Sequence, residues 1–135
     1  MATPPAAPGG PTQVVVAFLD GRRLKGYIFG FSALRDHCTV FPTPAAHAPE
    51  GETVMVKNLK AIFFIKEAAD AAPNPVSAHG RKIEVTFSDG ERLTGTTEGY
   101  SRDRLGFFMA PQDPSGKILR IFVINTNVTN ARWVQ

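Results

Sequence analysis

The chain repeats itself at an offset of 69 residues, and this internal repeat constrains the fold more than any other feature. Residues 14–65 align with residues 83–134 without a gap, and a period of this length indicates a duplicated structural unit. The identical positions fall at turns and apolar sites; in the first copy they include Phe18, Asp20, Gly21, Leu24, Gly26, Gly30, Ser32, Arg35, Pro42, Val54 and Asn58. Duplicated units keep what their backbone requires, so the glycines at 21/90, 26/95 and 30/99 are candidates for positive φ or close backbone approach.

Each copy has the pattern of about five short strands. Ile83, Val85 and Phe87 alternate with polar residues, which is typical of a strand with one buried face, and Asp89-Gly90 then predicts a tight hairpin turn. The predicted strands are 13–19, 23–31, 38–41, 53–57 and 60–66 in the first copy and 83–88, 92–100, 107–110, 119–124 and 128–134 in the second. The predicted class is all-β: two tandem five-stranded, bent antiparallel sheets, each a small barrel of the Sm-like or SH3-like type.

The predicted boundaries are a disordered tail at 1–11, a first barrel at 12–66, a linker at 67–80 and a second barrel at 81–135. The tail is rich in Ala, Pro and Gly and has neither a basic start nor an apolar stretch, so we expect no secretory signal. No apolar run approaches the ~20 residues of a membrane-spanning helix. A single cysteine permits no disulfide within the chain, and we expect a cytoplasmic protein without membrane contact.

Two stretches of the repeat resemble the signature of Sm-like barrels. The first is Asp-Gly followed by Leu-x-Gly and then Gly-Phe or Gly-Tyr, and the second is the segment from Val56 to Ile62, Val-Lys-Asn-Leu-Lys-Ala-Ile. The resemblance implies the barrel but not the RNA pocket, because Ser32-Ala33-Leu34-Arg35 and Ser101-Arg102-Asp103-Arg104 replace the Asp-x-aromatic-x-Asn segment of Sm proteins. The whole pattern is also similar to a bacterial domain of unknown function often found beside response-regulator and PilZ domains, which implies a signalling context.

No constellation of residues predicts catalysis, a cofactor or a metal. His37, His47 and His79 are not spaced with Cys or carboxylates as metal ligands are. Cys38 aligns with Phe107 in an apolar strand, which favours a buried, unreactive thiol. Asp20 and Asp89 each precede a glycine, where Asp serves turn geometry. We therefore expect a protein that is not an enzyme and binds neither cofactor nor metal.

A Gly-aromatic-Ser-x-x-Arg motif occurs in both copies and supplies four candidate binding residues: Ser32, Arg35, Ser101 and Arg104. In one interpretation the serine caps the turn after strand two and the arginine covers the aromatic ring or reaches an acid. In the other, the two arginines present paired donors to a carboxylate or phosphate on a partner.

The outer face of the first copy is more apolar than that of the second. Val15 and Leu19 stand where the second copy has Glu84 and Ser88, and Phe63 lies in a strand with no polar face. Such a face requires a cover. Packing against the second barrel, binding of a partner protein and self-association all remain open, and Val15, Leu19 and Phe63 are candidate partner-binding residues.

Two functions follow as hypotheses. The first is a protein-interaction module that binds another protein, or a second copy, through edge strands or the apolar face of the first repeat. The alternative is binding of RNA or single-stranded nucleic acid, which the pI near 9.3 and the aromatic residues beside Arg35 and Arg104 favour. The absence of the Sm-type RNA residues weakens the alternative.

Overall fold

The computed structural model describes residues 11–29, 35–44, 51–65, 80–101, 103–112 and 116–134. Ten strands occur in this part of the chain: β1 Pro11–Phe18, β2 Arg23–Phe29, β3 His37–Val40, β4 Glu52–Met55, β5 Leu59–Ile65, β6 Arg81–Phe87, β7 Arg92–Thr97, β8 Gly106–Pro111, β9 Ile118–Ile124 and β10 Val128–Trp133. A 3₁₀ helix precedes the last strand of each half, at Val56–Asn58 and Asn125–Asn127. The prediction of an all-β protein is confirmed.

The strands form one large antiparallel sheet and one small one. The large sheet has eight strands in the order β10-β6-β7-β8-β9-β5-β1-β2, and β3 pairs with β4 in a two-stranded sheet. An isolated bridge between Tyr27 and Phe41 connects β2 to the residue after β3. The elements of the second half follow those of the first at the offset of 69; a common three-dimensional structure for the two halves stays a prediction of the repeat.

The prediction of two separate five-stranded barrels needs correction in two respects. The described strands do not form a closed barrel, and strands from both halves belong to one sheet because β5 of the first half pairs with β9 of the second. In the first half, β2 and β3 share only the Tyr27–Phe41 bridge, so β3 and β4 count as a sheet of their own. The apolar sequence of β5 and β9 explains the cross-pairing, because pairing buries apolar surface that both strands would otherwise expose to water.

The two hairpins that open each half have the turn geometry that Asp-Gly predicts. Gly21 and Gly90 are the described residues with positive φ, at 94° and 92°. In each turn the glycine N–H donates to the carbonyl of the last β1 or β6 residue, Phe18 or Phe87, at 3.1 and 2.9 Å. A side chain at either glycine would be strained whatever the free space around it.

Gly26 and Gly95 serve a different purpose, which is close approach of two backbones. An atom in the Cβ position of Gly95 would collide with the carbonyl oxygen of Ala110 and with the Met109 side chain on β8. A Cβ atom at Gly26 would likewise collide with the carbonyl oxygen of Phe41. Glycine at these sites therefore lets β7 and β2 run against the following strand.

Two apolar clusters form the core, and each takes residues from both halves. The first contains Val14, Val16, Phe18, Ile28, Cys38, Val40, Val54, Val56, Leu59, Ile62 and Phe64 of the first half together with Phe122 and Ile124 of β9. The second contains Ile83, Val85, Phe87, Phe107, Met109, Ile121 and Val123 together with Ala61, and Phe63 packs against it. The β5–β9 pair thus completes both clusters.

The predicted tail and linker fall mostly outside the described residues. Residues 1–10 and 66–79 lie there, while Pro11, placed in the tail by composition, is the first residue of β1, and residue 80 precedes β6. No helix among the described residues is long and apolar enough to cross a membrane.

Candidate interaction surfaces

The β5–β9 pair shows how one half of this chain binds the other. Its register places Ala61 opposite Val123, Ile62 opposite Phe122 and Phe63 opposite Ile121. Directly opposite residues in antiparallel strands share a face of the sheet, so Phe122 enters the first core cluster while Val123 stays in the second. The junction is a strand added to a strand edge, with side chains inserted into the neighbouring core.

Hydrogen bonds from Asn127 join the two 3₁₀ helices beside this junction. Its side-chain amide donates through Nδ2 to the carbonyl oxygens of Lys57 at 2.8 Å and Leu59 at 2.6 Å. Asn127 is buried, so each of these hydrogen bonds satisfies a group that water does not reach. The equivalent residue in the first half is Asn58, which is exposed.

Lys60 forms a second fastening across the same junction. The residue is only 6% exposed, and its ammonium nitrogen contacts Asp89 Oδ2 at 2.9 Å and Glu91 Oε1 in the first hairpin of the second half. Burial alone would lower the pKa of Lys60, but the hydrogen bonds to Glu91 and Asp89 raise it overall. The backbone N–H of Glu91 and the Lys60 ammonium together lower the pKa of Asp89. Lys60 therefore remains charged and paired.

Four described strands have a single laddered neighbour, and since the Tyr27–Phe41 bridge links the β2 edge to the end of β3, β4 and β10 are the two whose second edge has no bridge to another described strand. β4 pairs with β3 alone, and β10 pairs with β6 alone. The exposed large hydrophobic side chains of the described residues lie on these two strands: Met55 on β4, at 38% exposure, and Trp133 on β10, at 41%. Open edges of this kind can accept a further strand.

A groove of about 250 Å³ runs along β10, and its walls are Tyr100, Asn125 and residues 128–131. The Asn125 amide donates to the carbonyls of Ser101 at 2.7 Å and Arg104 at 2.9 Å. Its Oδ1 atom is buried and has no hydrogen-bond partner among the described residues. The groove is lined by both polar and apolar residues, and the Asn125 acceptor is shielded from solvent.

The motif residues Ser101 and Arg104 line a larger groove of about 890 Å³ whose floor includes Phe107, Phe108 and Phe122. The Tyr100 ring packs edge-on against Phe107, with 4.9 Å between ring centroids. Ser101 is half-buried and Arg104 is exposed. In the first half, Ser32 lies outside the described residues, and Arg35 is exposed beside Asp36. The structure thus places one copy of the motif at a groove.

Nearly the whole chain matches the model of one protein family. The model of a family of unknown function, DUF6982, matches residues 10–135. The chain belongs to the DUF6982 family. No curated protein and no solved structure matches it. The Sm-like resemblance of this DUF6982 chain, and its association with response-regulator or PilZ domains, stay predictions.

The apolar face predicted on the first half is covered only in part in the DUF6982 fold. Phe63 is half-buried, packs against the second core cluster and lies 6.0 Å from the Arg23 guanidinium. Val15, opposite Phe63 in the β1–β5 pair, and Leu19 are half-buried. The second half therefore covers Phe63, and the role of Val15 and Leu19 in partner binding stays a prediction.

Arg120, which the sequence did not single out, stacks on two aromatic rings. Its guanidinium lies 4.4 Å from the Phe108 centroid and 4.9 Å from that of Phe64. Burial lowers the pKa of Arg120. The only available signal was an isolated arginine inside the apolar run 118–124, which indicates a position where a charge must be covered by aromatic faces.

The remaining candidates for chemistry are structural or lie outside the described residues. Cys38 is buried, as expected, and burial raises its pKa to about 11, which suppresses the reactive thiolate. His37 contacts Asp36 at 2.9 Å, while His47 and His79 fall outside the described ranges. Among the residues that the structure describes, no group of three His, Cys, Asp or Glu side chains could hold a metal ion.

Proposed function

We propose that this chain is a non-enzymatic protein-interaction module whose open edges, β4 and β10, accept a strand from a partner. The single observation that carries the proposal is the position of Met55 and Trp133, the exposed large hydrophobic side chains of the described residues, one on each open edge. An open edge supplies backbone hydrogen bonds, and a neighbouring apolar side chain supplies the buried surface that makes such binding favourable. The proposed setting is bacterial signalling in the cytoplasm.

The proposal treats the two halves as copies of one Sm-like unit. In the second half the strands lie in the order β10-β6-β7-β8-β9. In the first half β5-β1-β2 have the corresponding order, and the Tyr27–Phe41 bridge connects them to β3-β4. If the halves are copies, the β5–β9 pair is an example of the binding that the free edges offer.

The hydrogen-bonding groups of β10 are arranged to receive a strand. Val134 donates its N–H to the backbone carbonyl of Lys82 on the β6 side. Alternate residues of an antiparallel strand direct their groups to the same side, so Arg132 also faces β6 while Ala131 and Trp133 direct their N–H and C=O groups to the open side. A bound strand would pair with these two residues.

The experiment is a titration with a peptide of residues 116–124 carrying two added lysines for solubility, because β9 is a strand that already adds to an edge in this fold. The chain has one tryptophan, Trp133, and the peptide has none, so Trp133 fluorescence reports binding. We expect saturable binding and slower hydrogen exchange at the Ala131 and Trp133 amides.

Two controls make the peptide result specific. The same peptide with a methyl group on the Phe122 nitrogen loses a donor that would face β10, so it should bind more weakly. The Ala131→Pro variant removes the β10 donor itself and should also bind more weakly. Unchanged fluorescence and unchanged exchange with the β9 peptide would refute the proposed function.

Nucleic-acid binding is a second candidate, and the groove beside Tyr100 and Arg104 favours it because an arginine and aromatic rings lie together there. Mixed-sequence single-stranded RNA and DNA with a fluorescent label test it by anisotropy. Under the interaction-module proposal, neither oligonucleotide binds in a salt-dependent manner. Binding that weakens with salt and with Arg104→Ala would instead support the second candidate.

A further inference from the structure

We propose that the chain assembles head to tail with second copies of itself, β4 of one copy adding to β10 of the next in the register that joins β5 to β9 within the chain. This inference rests on the proposed function, since it names the occupant of the two open edges. β4 stands in the first half where β9 stands in the second, and β10 stands in the second half where β5 stands in the first. Each chain therefore has one free edge equivalent to that of β9, on β4, and one free edge equivalent to that of β5, on β10.

The internal register transfers to the two open edges without adjustment. Each pair is transferred by adding 69 to its β5 residue and subtracting 69 from its β9 residue. The pairs Ala61–Val123, Ile62–Phe122 and Phe63–Ile121 then become Asn130–Val54, Ala131–Thr53 and Arg132–Glu52. The hydrogen-bonding directions agree. Val56 donates its N–H to the backbone carbonyl of Asp36 on the β3 side. Thr53 and Met55 therefore direct their N–H and C=O groups to the open side of β4, as Ala131 and Trp133 do on β10.

Charge supports this register. It places Glu52 of one copy directly opposite Arg132 of the next, and opposite charges across an antiparallel pair are favourable. Both residues are exposed. Within the chain Glu52 contacts Arg22 at 2.8 Å and Arg132 contacts Glu84 at 2.8 Å, so the contact between copies would join two ion pairs into a network of four charges.

Two further side chains, one polar and one apolar, also fit this register. Asn58 occupies the position of Asn127, so its amide would reach the carbonyls of Thr126 and Val128 of the next copy, as the Asn127 amide reaches Lys57 and Leu59. Met55 occupies the position of Ile124, which belongs to the first cluster together with Leu59 and Ile62. The groove of about 250 Å³ beside Val128 and Ala131 is the corresponding space on the next copy.

The contact between copies would be weaker than the contact within the chain. The residue equivalent to Lys60 is Thr129, and those equivalent to Asp89 and Glu91 are Asp20 and Arg22, so no ion pair replaces the Lys60 fastening. Thr53 and Met55 also replace Phe122 and Ile124, which reduces the apolar surface that is buried. We therefore expect assembly that depends on concentration. A head-to-tail contact gives closed rings if its rotation closes and open filaments if it does not.

The experiment uses two charge reversals, Glu52→Arg and Arg132→Glu, and light scattering to measure mass over a wide range of concentration. The wild-type chain should reach masses that are multiples of 14.6 kDa. Each variant alone places like charges in every contact and should raise the dissociation constant by roughly tenfold or more. Lys25→Glu, a charge reversal on β2, is the matched control and should assemble like the wild type.

Mixing the two variants in equal amounts gives the decisive result. The arginine introduced at position 52 of one variant then faces the glutamate introduced at position 132 of the other. The unchanged Glu52 of the second variant likewise faces the unchanged Arg132 of the first, so every contact between unlike copies is favourable again. We expect the mixture to regain the wild-type mass while each variant alone stays smaller.

Two outcomes would overturn the inference. One is a wild-type chain that remains a monomer at all concentrations, and the other is a pair of variants whose masses do not change on mixing. If the wild type is a monomer yet binds the β9 peptide, the proposed function stands without self-assembly.

Discussion

At the scale of single residues, glycine shows most directly how this sequence determines local structure. Gly21 and Gly90 have positive φ, whereas Gly95 does not and is required because the Ala110 carbonyl leaves no space for a Cβ atom. The repeat identified both kinds of position as candidates, because identical glycines at equivalent sites are unusual unless the backbone requires them. It did not separate the two causes, which depend on the neighbouring strand.

We predict that Gly95→Val lowers the free energy of unfolding by about 1–3 kcal/mol, because β8 must shift to admit the side chain. Denaturation in urea, monitored by circular dichroism, measures the change. Gly99→Ala is the matched control, since an added Cβ there meets nothing within 4 Å. An unchanged midpoint for Gly95→Val would mean that β7 and β8 separate at no cost.

Lys60 is a residue whose importance depends wholly on the other half of the chain. Its partners Asp89 and Glu91 follow it by about thirty positions and belong to a hairpin, where Asp89 also accepts the Glu91 N–H at 3.0 Å. The sequence explained Asp89 by that turn alone. The turn interpretation was right but incomplete, since the same carboxylate has a second oxygen free for Lys60.

We predict that the Lys60 contact makes stability depend on pH in acid. The pKa of Asp89 is lower in the folded chain than its usual value of 3.8, so the folded state binds fewer protons there. The resulting stability is present above pH 3.8 and is lost as the pH falls through the folded-state pKa. Replacing Lys60 by Met removes one cause of the lowered pKa, so the variant's urea midpoint should fall less steeply than that of the wild type below about pH 5.

Lys25→Met, which removes an exposed lysine on β2, controls for the loss of one positive charge. It should retain the wild-type slope. Equal slopes for the wild type and for Lys60→Met would show that Lys60 contributes nothing to the ionisation of Asp89.

At the scale of elements, the sequence predicted the strands well and their partners less well. Apolar patterning and turn residues, carried from the second half to the first by the repeat, predicted all ten strands, most of them within two residues of their ends. The longer predicted second strands, 23–31 and 92–100, were wrong at their ends where described: β7 stops at Thr97. The Thr97 hydroxyl donates to the Phe108 carbonyl at 2.7 Å, a contact that no local pattern records.

The β5–β9 pair was the element-level feature that could not be predicted. The apolar sequence of β5 indicated that something must cover it, and the second half was one of the alternatives. Which strand of the second half does so depends on shape and on hydrogen bonds such as those from Asn127 to Lys57 and Leu59. Among the candidate binding residues, Ser101 and Arg104 lie at a groove, but only their motif was visible in the sequence.

At the scale of the whole molecule, the sheet makes the two halves one structural unit. Phe122 and Ile124 of the second half belong to the first core cluster, and Ala61 of the first half belongs to the second. Neither cluster is complete within its own half. Two independent barrels would unfold separately, whereas clusters that share residues should unfold together.

We predict that dilute protein unfolds in a single transition. Trp133 fluorescence reports the second half and far-ultraviolet circular dichroism reports all strands, so the two curves should coincide. Phe122→Ala should lower stability by about 3–5 kcal/mol and shift both curves equally, because Phe122 is buried in the shared core. Two separate transitions, or a shift confined to one probe, would contradict this expectation.

The sharing of core residues across β5 and β9 has a consequence for synthesis on the ribosome. The first half emerges before the second, yet its apolar cluster lacks Phe122 and Ile124 until β9 has left the exit tunnel. During that interval the nascent chain carries an unfinished core and the unpaired edge of β5. Such a segment is vulnerable to aggregation, so the first half completes its core only after β9 has emerged.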